Sequence, residues 1–461
     1  MQPKVVLLVG FLAALVIRPC LAQPFGRSGD EFRINQSVTG AQREPSVGMD
    51  STGRFFVVWS APDGGGVGVF GRRFRHNGTA IDADDFRVNS STTGKQFVPW
   101  VAVAPDSSFD ALVVYEKDQA SGNEAFGRRY DSTGAVSGAF QVGNATAIYY
   151  VFPRAAADSS GNFVAVWNQG GSVMGQRYSS AGALLGNAFT AGSESVNGAP
   201  RVARAPGGEF VVTWFSADQR ISARRYAANG ASLGGAFQVN QVSALMLDAA
   251  VAMNDSQFVV TWNLQGYSPD IRARLFDTSG AALSDEFAVN QYTTGFREHI
   301  DAGMNGNGGF VIVWEDDNDR DGGGGGFKGS VWGRRFNAAA NPLAGGEFQI
   351  NSTTSGDQLY PRIGMHSSGD FVVVWQGNGG AGSYEIYAQR FCHQVAGDAD
   401  GNGTIDVADV FYIINNLFAG GPAPVRNSDA DGNGSTNVAD VFYLINYLFA
   451  GGPAPQCPDP L

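Results

Sequence analysis

Two short segments near the C-terminus carry oxygen-bearing side chains at matching intervals. Each has such residues at positions 1, 3, 5, 7, 9 and 12 of a twelve-residue run, with glycine at position 6. Calcium binds about six to eight oxygen ligands, including the main-chain carbonyl of position 7, and the glycine permits a sharp turn. The spacing predicts two EF-hand-like calcium loops, with the ligands Asp398, Asp400, Asn402, Thr404, Asp406 and Asp409, and Asp429, Asp431, Asn433, Ser435, Asn437 and Asp440.

A third acidic run lies in a glycine-rich loop and is a weaker calcium candidate. Asp317, Asp319 and Asp321 alternate and are followed by glycine, which is the spacing of a calcium loop. Lys328 stands where the bidentate carboxylate of such a loop is expected. A solvated acidic loop is therefore the alternative to a third ion.

The negative charge of the chain is concentrated around the two C-terminal loops. The whole chain has a net charge of −12, and the segment from Val395 to Leu461 contains eight Asp, no Glu and one Arg. A nucleic-acid partner would require a basic surface, so the charge excludes that class of partner. The dense acid in the tail instead requires cations.

Each calcium loop is followed by apolar residues at helical spacing. These residues are Val407, Val410, Phe411, Ile414, Leu417 and Phe418, and Val438, Val441, Phe442, Ile445, Leu448 and Phe449. Both runs stop at Gly-Gly-Pro, a pattern typical of helix ends. Two helices that pack these faces together form a very small core, so calcium binding is expected to drive folding.

The tail resembles a type I dockerin, a module that attaches exported proteins to cohesin domains. The resemblance runs from Gly397 to about Pro455 and implies calcium binding by the loop residues given above. It also implies a cohesin-like partner contacted by loop positions 10 and 11, which are Val407, Ala408, Val438 and Ala439. Cellulosomal dockerins usually have polar residues there, so the apolar pairs depart from that pattern. The near-identity of the two halves would allow binding in either of two orientations.

The rest of the chain is an internal repeat. A Phe-x-Val/Ile-Asn strand, degenerate in two copies, begins at Phe32, Phe86, Phe140, Phe189, Phe237, Phe287 and Phe348. Each period adds a Pro-x-Val-Ala strand, an apolar strand ending in Trp, and a strand with Arg before an aromatic residue. Four strands in seven periods predict a mainly β fold, a seven-bladed β-propeller with four-stranded blades, in which the N-terminal strand closes the last blade. An open β-solenoid or tandem sandwiches are the alternatives. The repeats resemble those of secreted bacterial proteins.

The N-terminus has the pattern of a secretory signal peptide. Lys4 precedes an apolar run from Val5 to Ile17, and Cys20-Leu21-Ala22 supplies small residues at the cleavage positions. The run is too short to span a membrane, and no second apolar run of spanning length follows. The mature protein is expected to have no membrane span and to be secreted, extracellular or associated with the cell surface.

Export leaves two cysteines, Cys392 and Cys457, which bracket the calcium loops. An oxidising compartment permits their pairing, and a disulfide closing a loop of this length would stabilise the fold by about 4 kcal/mol on the chain-entropy model. Two unpaired thiols are the alternative. The predicted organisation is a signal peptide at 1–22, a leader at 23–31, the propeller at 32–391, a linker at 392–397, the dockerin-like domain at 398–455 and a tail at 456–461.

The sequence assigns no catalytic residue. Its four His share no ligand spacing, and it has no Gly-x-Ser-x-Gly elbow, zinc signature or phosphate loop. We expect a non-catalytic, monomeric propeller that binds a carbohydrate, cell-surface ligand or partner. The first alternative is a glycoside hydrolase acting in polysaccharide catabolism, because a carboxylate pair has no local signature. The second is a structural cell-surface protein.

The charge of the two loops predicts a difference in their calcium affinity. The first loop has four carboxylates among its ligand positions and the second has three. Because affinity rises with ligand charge, the first loop is expected to bind calcium more tightly. A calcium titration should resolve two unequal sites, and equal affinities would contradict this expectation.

Overall fold

The apolar strands of each repeat form one twisted antiparallel sheet. The computed structural model describes residues 26–119, 122–143, 150–193, 196–243, 246–264, 270–317, 329–378, 382–392, 397–400, 405–424, 428–433, 435–453 and 455. Within these ranges, the strands form seven sheets, as the repeat predicts. The first strand of the described residues is β1 (Gly26–Arg33), which belongs to the last sheet.

The strands of the first four blades follow in chain order. Blade one contains β2 (Arg43–Met49), β3 (Phe55–Pro62), β4 (Val67–Phe74) and β5 (Phe86–Arg87). Blade two contains β6 (Gln96–Val103), β7 (Ala111–Lys117), β8 (Glu124–Asp131), the short β9 (Gly134–Ala135) and β10 (Phe140–Gly143). Blade three contains β11 (Arg154–Ala157), β12 (Phe163–Gln169), β13 (Ser172–Tyr178) and β14 (Phe189–Gly192). Blade four contains β15 (Val196–Arg204), β16 (Phe210–Ser216), β17 (Ile221–Tyr226) and β18 (Phe237–Gln238).

The last three blades have the same strand order. Blade five contains β19 (Met246–Met253), β20 (Gln257–Leu264), β21 (Ile271–Asp277) and β22 (Phe287–Ala288). Blade six contains β23 (Arg297–Met304), β24 (Phe310–Asp316), β25 (Ser330–Phe336) and β26 (Pro342–Gln349). Blade seven contains β27 (Gln358–Met365), β28 (Phe371–Gly377), β29 (Glu385–Cys392) and β1. The Phe-x-Val/Ile-Asn strand is thus the outer strand of each blade, and the Pro-containing strand is the inner one.

The ring is closed at two levels. Each inner strand packs against the inner strands of both neighbouring blades, and β27 packs against β2. At the outside, β1 pairs antiparallel with β29, with Phe32 opposite Ala388 and Arg33 opposite Tyr387. This confirms the predicted closure. Because the pairing continues to Gly26 opposite Cys392, both strands extend beyond the boundaries of 32 and 391 expected for the propeller.

The core lies between blades. Among the described residues, each of the seven pairs of neighbouring blades shares one apolar cluster. The second strand of each blade is buried on both faces, as in β16, where every residue is buried. The repeated tryptophans Trp59, Trp214, Trp262, Trp314 and Trp375 are almost completely buried. They serve inter-blade packing, as expected of a residue present in nearly every repeat.

The repeated asparagine fastens the outer strand. Each side-chain oxygen accepts a hydrogen bond of 2.7–2.9 Å from a backbone N–H in the third strand of the same blade. Each side-chain amide donates to the carbonyl two residues further along the chain. The residues are Asn35, Asn89, Asn240, Asn290 and Asn351, and all are buried. The motif therefore satisfies backbone groups that a short outer strand leaves unpaired.

The repeated arginines connect neighbouring blades. Arg72, Arg128, Arg224, Arg274 and Arg334 each donate to a backbone carbonyl of the preceding blade. The arginine that follows often reaches the other way, as Arg73 does to the carbonyls of Asp131 and Ser132. Backbone carbonyls of adjoining blades are thus frequent partners of these arginines, and Arg73 also pairs with Asp82 at 2.7 Å, as expected of a strand-end cation.

The C-terminal part contains two helices of equal length. They are α1 (Val407–Ala419) and α2 (Val438–Ala450). Each has a capping box at its N-terminus and ends at a glycine with positive φ, Gly420 or Gly451. Neither described helix is long and apolar enough to cross a membrane. The predicted signal peptide, residues 1–22, lies outside the described residues.

Substituting Asn35 tests the contribution of the closing strand. In Asn35→Ala, the buried N–H of Ile386 loses the acceptor that lies 2.7 Å away. A buried donor without a partner costs about 1–3 kcal/mol, so the unfolding free energy of the propeller should fall by that amount. Urea denaturation followed by tryptophan fluorescence measures it. Asn307→Ala, at an exposed turn, is the control, and equal midpoints for the two variants would contradict the assigned role.

Candidate functional site

The two C-terminal loops bring their carboxylates together. In each loop, three Asp residues offer oxygen atoms that all lie within 4.8 Å of one another. The groups are Asp398, Asp400 and Asp409, and Asp429, Asp431 and Asp440. The first and last member of each group are buried. Several carboxylates held this close in a buried position suit a calcium ion, which supplies the opposing charge.

The carboxylate at position 12 also organises its loop. Asp440 accepts hydrogen bonds from the backbone N–H groups of Ala430, Asp431 and Asn437, at 2.7–3.2 Å. Asp409 accepts the corresponding bonds from Asp400 and Asp406. The third residue of each helix, Asp409 or Asp440, therefore holds the loop backbone around its carboxylate.

Position 9 has a different role in this structure. The side chains of Asp406 and Asn437 cap the helices by accepting from the N–H groups of Ala408 and Ala439, at 2.6 and 2.8 Å. Asp406 is not among the close carboxylates of its loop, which agrees with a position that often contacts calcium through water. In the second loop, Asn433 accepts from the N–H and hydroxyl of Ser435. Asn402 and Thr404 lie outside the described residues, so their ligand roles stay predictions.

Burial and neighbouring carboxylates shift the pKa of the position-12 carboxyl group in the first loop. Burial, with smaller contributions from Asp400 and Asp398, raises the pKa of Asp409 to about 6, against the lowering effect of the two backbone N–H groups it accepts from. A calcium ion would stabilise the ionised form instead. The donor set of hard oxygen atoms therefore fits calcium, which the residues of both loops would hold in place.

The helices pack through fewer residues than the sequence pattern suggests. The core consists of Ala399, Val410 and Ile413 with their counterparts Ala430, Val441 and Leu444. Phe411 and Phe418, which the pattern placed on the packing face, are 64 % and 70 % exposed. Their counterparts, Phe442 and Phe449, are exposed as well. The prediction was wrong for these phenylalanines because a core with only two helices covers a narrow stripe of each.

An apolar surface remains at the start of each helix. Val407 and Val438 are 48 % and 46 % exposed, and Ala408 and Ala439 are exposed beside them. The four residues implied as partner-binding therefore do not pack against their own helices. With Phe411 and Phe442, they give two equivalent exposed patches, which suits partner binding.

Two other candidates rest on residues only partly described. Asp317 accepts a hydrogen bond of 2.8 Å from the N–H of Phe296, while Asp319 and Asp321 lie outside the described residues. The third calcium site stays a prediction. Cys392 is buried at the end of β29, and Cys457 lies outside the described residues, so the disulfide also stays a prediction.

The propeller has a second candidate site, at the mouth where the inner strands begin. Glu44, Val98, Phe152, His299 and Tyr360 have positive φ, between 45° and 57°, at corresponding positions of five blades. Four of these blades have a register shift there. Bulges with strained residues re-aim side chains and cluster at functional sites.

The neighbouring blade holds four of these five positive-φ residues in place. The N–H groups of Val98, Phe152 and Tyr360 donate to Glu44, Glu116 and Glu315, at 3.0–3.2 Å. The N–H of Glu44 donates to Gln376 in the same way, at 2.9 Å. These carboxylates support the backbone of the mouth.

The bulges surround a cavity of about 560 Å³. Its lining includes Trp100, Arg154, Arg201 and Arg362, which follow the bulges along the inner strands. No motif or local spacing in the sequence marks these residues as members of one site. The sequence signal that could have found them is the position directly after the repeated proline. The residue type at this position varies between blades, whereas the neighbouring positions repeat.

The opposite end of the channel contrasts with this mouth. Its cavity of about 240 Å³ is lined mainly by small or apolar residues, many in equivalent positions of different blades, such as Met49, Met253, Met304 and Met365. Gly303 is required there, because a Cβ would lie 2.9 Å from the Cβ of Met365. Only the first mouth combines charge, aromatic rings and strain within the described residues.

Comparison with known proteins identifies the tail. Residues 396–449 match the family model of the dockerin type I domain. This region is a dockerin type I domain that follows a seven-bladed β-propeller. No curated protein sequence matches this chain.

Solved structures match this chain at low sequence identity. A protein of unknown function from Dyadobacter fermentans is 12 % identical, with 79 % of this chain and 98 % of that chain covered, at a TM-score of 0.50. The α-L-arabinofuranosidase PaAbf62A from Podospora anserina is 8 % identical, with 80 % and 98 % covered, at 0.36. AofleA from Arthrobotrys oligospora is 9 % identical, with 70 % and 92 % covered, at 0.41. The first shows the fold alone, and the other two carry no functional argument.

The raised pKa of Asp409 predicts how calcium binding depends on pH. Calcium requires the ionised carboxylate, whereas the metal-free loop takes up a proton as the pH falls through about 6. The affinity of the first loop should therefore be nearly constant above that pH and fall about tenfold per unit below it. Calcium titrations of the full chain at pH 7.5 and 5.0 measure this. An affinity that is the same at both pH values would contradict the assignment.

Proposed function

We propose that this protein is a secreted, non-catalytic propeller that binds a ligand at one mouth and is attached, through its calcium-dependent dockerin domain, to a cohesin-type receptor. The observation that carries the attachment is two groups of three carboxylates, in each of which the oxygen atoms lie within 4.8 Å of one another. Each group lies at the start of a helix whose apolar N-terminus is exposed. Calcium would order the loops and so fix the two exposed patches relative to each other.

The apolar patches specify the kind of receptor. Val407 with Ala408, and Val438 with Ala439, expose apolar area where polar residues are usual in cellulosomal dockerins. A matching receptor surface would be apolar, because burying polar groups against these side chains costs free energy. Since the two patches are equivalent, either one can face the receptor.

The extracellular location follows from the same domain and from the predicted signal peptide. A cohesin-type receptor presents its binding surface outside the cell, and the pairing of Cys392 with Cys457 would suit that compartment. In this proposal the chain is a monomer with two calcium ions in its tail. The proposed third ion, at Asp317, Asp319 and Asp321, would belong to the propeller.

A non-catalytic role is supported by what the mouth carboxylates do. Glu44, Glu116 and Glu315 accept hydrogen bonds from strained backbone N–H groups, and Asp248 pairs with Arg201 at 2.5 Å. Groups fixed in this way support the backbone and have no free proton-transfer role. The mouth therefore suits binding better than hydrolysis.

The alternative, a glycoside hydrolase, is favoured by one residue. Glu298 lines the mouth cavity, and burial, together with Glu315, Asp317 and Asp248, raises its pKa, although His299 opposes this. A carboxyl group with a raised pKa can serve as a general acid. Reducing sugar released by the wild type but not by Glu298→Gln would favour this alternative.

Paired substitutions test the docking surface. Val407→Asp and Val438→Asp should each leave binding to an immobilised cohesin nearly unchanged, because the other patch remains. The double variant should lose at least about 100-fold in affinity, since an unpaired carboxylate would be buried in either orientation. Surface plasmon resonance in calcium and in chelator measures this.

The controls separate docking from folding. Val38→Asp with Val242→Asp changes two exposed valines of the propeller and should leave binding unchanged. The docking variants should still bind calcium with wild-type stoichiometry. Retained binding by the double variant, or wild-type binding that persists in chelator, would refute the proposed mode of attachment.

A further inference from the structure

Three arginines from three blades meet around one indole ring at the mouth cavity. The guanidinium carbons of Arg154, Arg201 and Arg362 lie 4.9, 5.7 and 5.8 Å from the centroid of the Trp100 ring. Trp100 is itself fixed by a hydrogen bond of 3.0 Å from its Nε1 to the carbonyl of Ala155. The ring attracts each cation, but the three like charges repel one another.

Nearby carboxylates neutralise only part of the positive charge of these three arginines. Asp248 pairs with Arg201, and the buried Asp301 accepts from the N–H of Ile363 at 3.0 Å. Arg154 and Arg362 instead donate to the carbonyls of Pro153 and Pro361, each at 2.9 Å. In the part of the chain that the structure describes, no carboxylate oxygen lies within the 4.0 Å of an ion pair from either guanidinium.

Unused donors remain in the cluster. The Nε of Arg154 and the Nη1 of Arg201 are buried without a hydrogen-bond partner. All three arginine side chains are more than nine-tenths buried and line the cavity. Burial, and next the charges of Arg201 and Arg362, lower the pKa of Arg154. A buried cation cluster of this kind is expensive unless an anion joins it.

The geometry of guanidinium groups favours a carboxylate. The planar fork of an arginine matches the two oxygens of a carboxylate, and such bonds are about twice as strong as neutral ones. Arg154 and Arg362 belong to different inner strands, β11 and β27, so a carboxylate between them would be held from two sides.

The rest of the cavity suits a sugar ring. Tyr150 is 56 % exposed and stacks on Phe152 with 5.3 Å between ring centroids. Tyr360 lies against His299 with 3.7 Å between centroids. Glu298 and Asp248 also line the cavity, and their carboxylate oxygens can accept hydrogen bonds from the hydroxyl groups of a sugar. The volume of about 560 Å³ lies within the range of small-molecule sites.

We propose that the mouth cavity binds a sugar acid, with its carboxylate held by Arg154 and Arg362 and its ring packed on the aromatic side chains of Tyr150 and Phe152. This inference rests on the proposed function, because it names the ligand class of the propeller. A uronic acid residue within a polysaccharide and a free uronic acid share this chemistry.

Calorimetric titration of the full chain tests the ligand class. The probes are D-galacturonate, D-glucuronate, linear oligomers of galacturonate, galactose, acetate and sulfate, at one fixed calcium concentration. At least one uronate should bind at least about tenfold more tightly than galactose, acetate and sulfate. Tighter binding of the oligomers than of the monomers identifies the polysaccharide as the source, and equal binding identifies the free sugar acid.

Variants locate the binding. Arg154→Met and Arg362→Met should each lower uronate affinity at least about tenfold, and Arg362→Lys should recover part of the loss. Arg204→Met is the matched control, because Arg204 is equally buried but paired with Asp158 at 2.6 Å. Tyr150→Ala, at an exposed side chain, should weaken uronate binding without affecting the fold. A melting temperature raised by uronate in the wild type, but not in these mouth variants, gives a second readout.

The outcomes distinguish this inference from the proposed function. Galactose or sulfate binding as tightly as uronate would overturn the sugar-acid assignment, as would uronate affinity unaffected by both Arg→Met variants. Absence of uronate binding by the wild type would also overturn it, while calcium-dependent capture by cohesin would leave the attachment intact. Conversely, uronate binding without capture would refute the attachment and support this site.

Discussion

The antiparallel pairing of β1 with β29 joins the two ends of a ring of seven sheets, and the other features of the propeller depend on that closure. A blade buries its apolar faces only against its neighbours, so an open ring would expose the cluster shared by the first and last blades, around Phe55, Trp59 and Val374. Asn35 and Arg72 act at the same joint, through Ile386 and Ile34. The closing strand β1 thus makes the same hydrogen bonds as the outer strands of the other blades. Blade seven, which contains both ends of the ring, is therefore held together like the other six.

Closure brings the starts of the inner strands together around one channel. At that end the backbone bulges, and residues such as His299 and Tyr360 adopt a conformation that L-amino acids rarely adopt. The hydrogen bond from Tyr360 to Glu315 of the preceding blade offsets part of this strain. The repeated residues therefore form a rigid frame. The side chains at the bulges and just after them do not repeat, so they differ in charge and polarity from blade to blade. Arg154, Trp100 and Arg362 meet there although the sequence separates them widely.

The C-terminal dockerin domain is also built from a repeated unit, but it buries much less apolar surface than the propeller. Its core is small, because three apolar residues from each half are buried among the residues that the structure describes, and burying Asp409 and Asp440 opposes folding in the absence of a cation. Calcium bound by these carboxylates would offset this cost, so that folding of the domain would be coupled to calcium binding. The duplication also leaves two equivalent apolar patches, at Val407 and Val438, where a single copy would leave one. The proposed function thus joins a propeller stabilised by its own packing to a domain whose order would depend on calcium.

The sequence by itself determined the features that local spacing controls. The calcium loops, the two helices, the seven repeats and the closing strand all depend on residues a fixed number of positions apart, such as Asp429 and Asp440 or Phe32 and Asn35. Only the tertiary structure decided which side chains meet. The packing face of α1 could not be read from helical spacing, because the number of partners decides how wide a stripe is buried, and Phe411 lies outside it. The mouth cluster was equally hidden, because its members come from different blades and meet only when the ring closes.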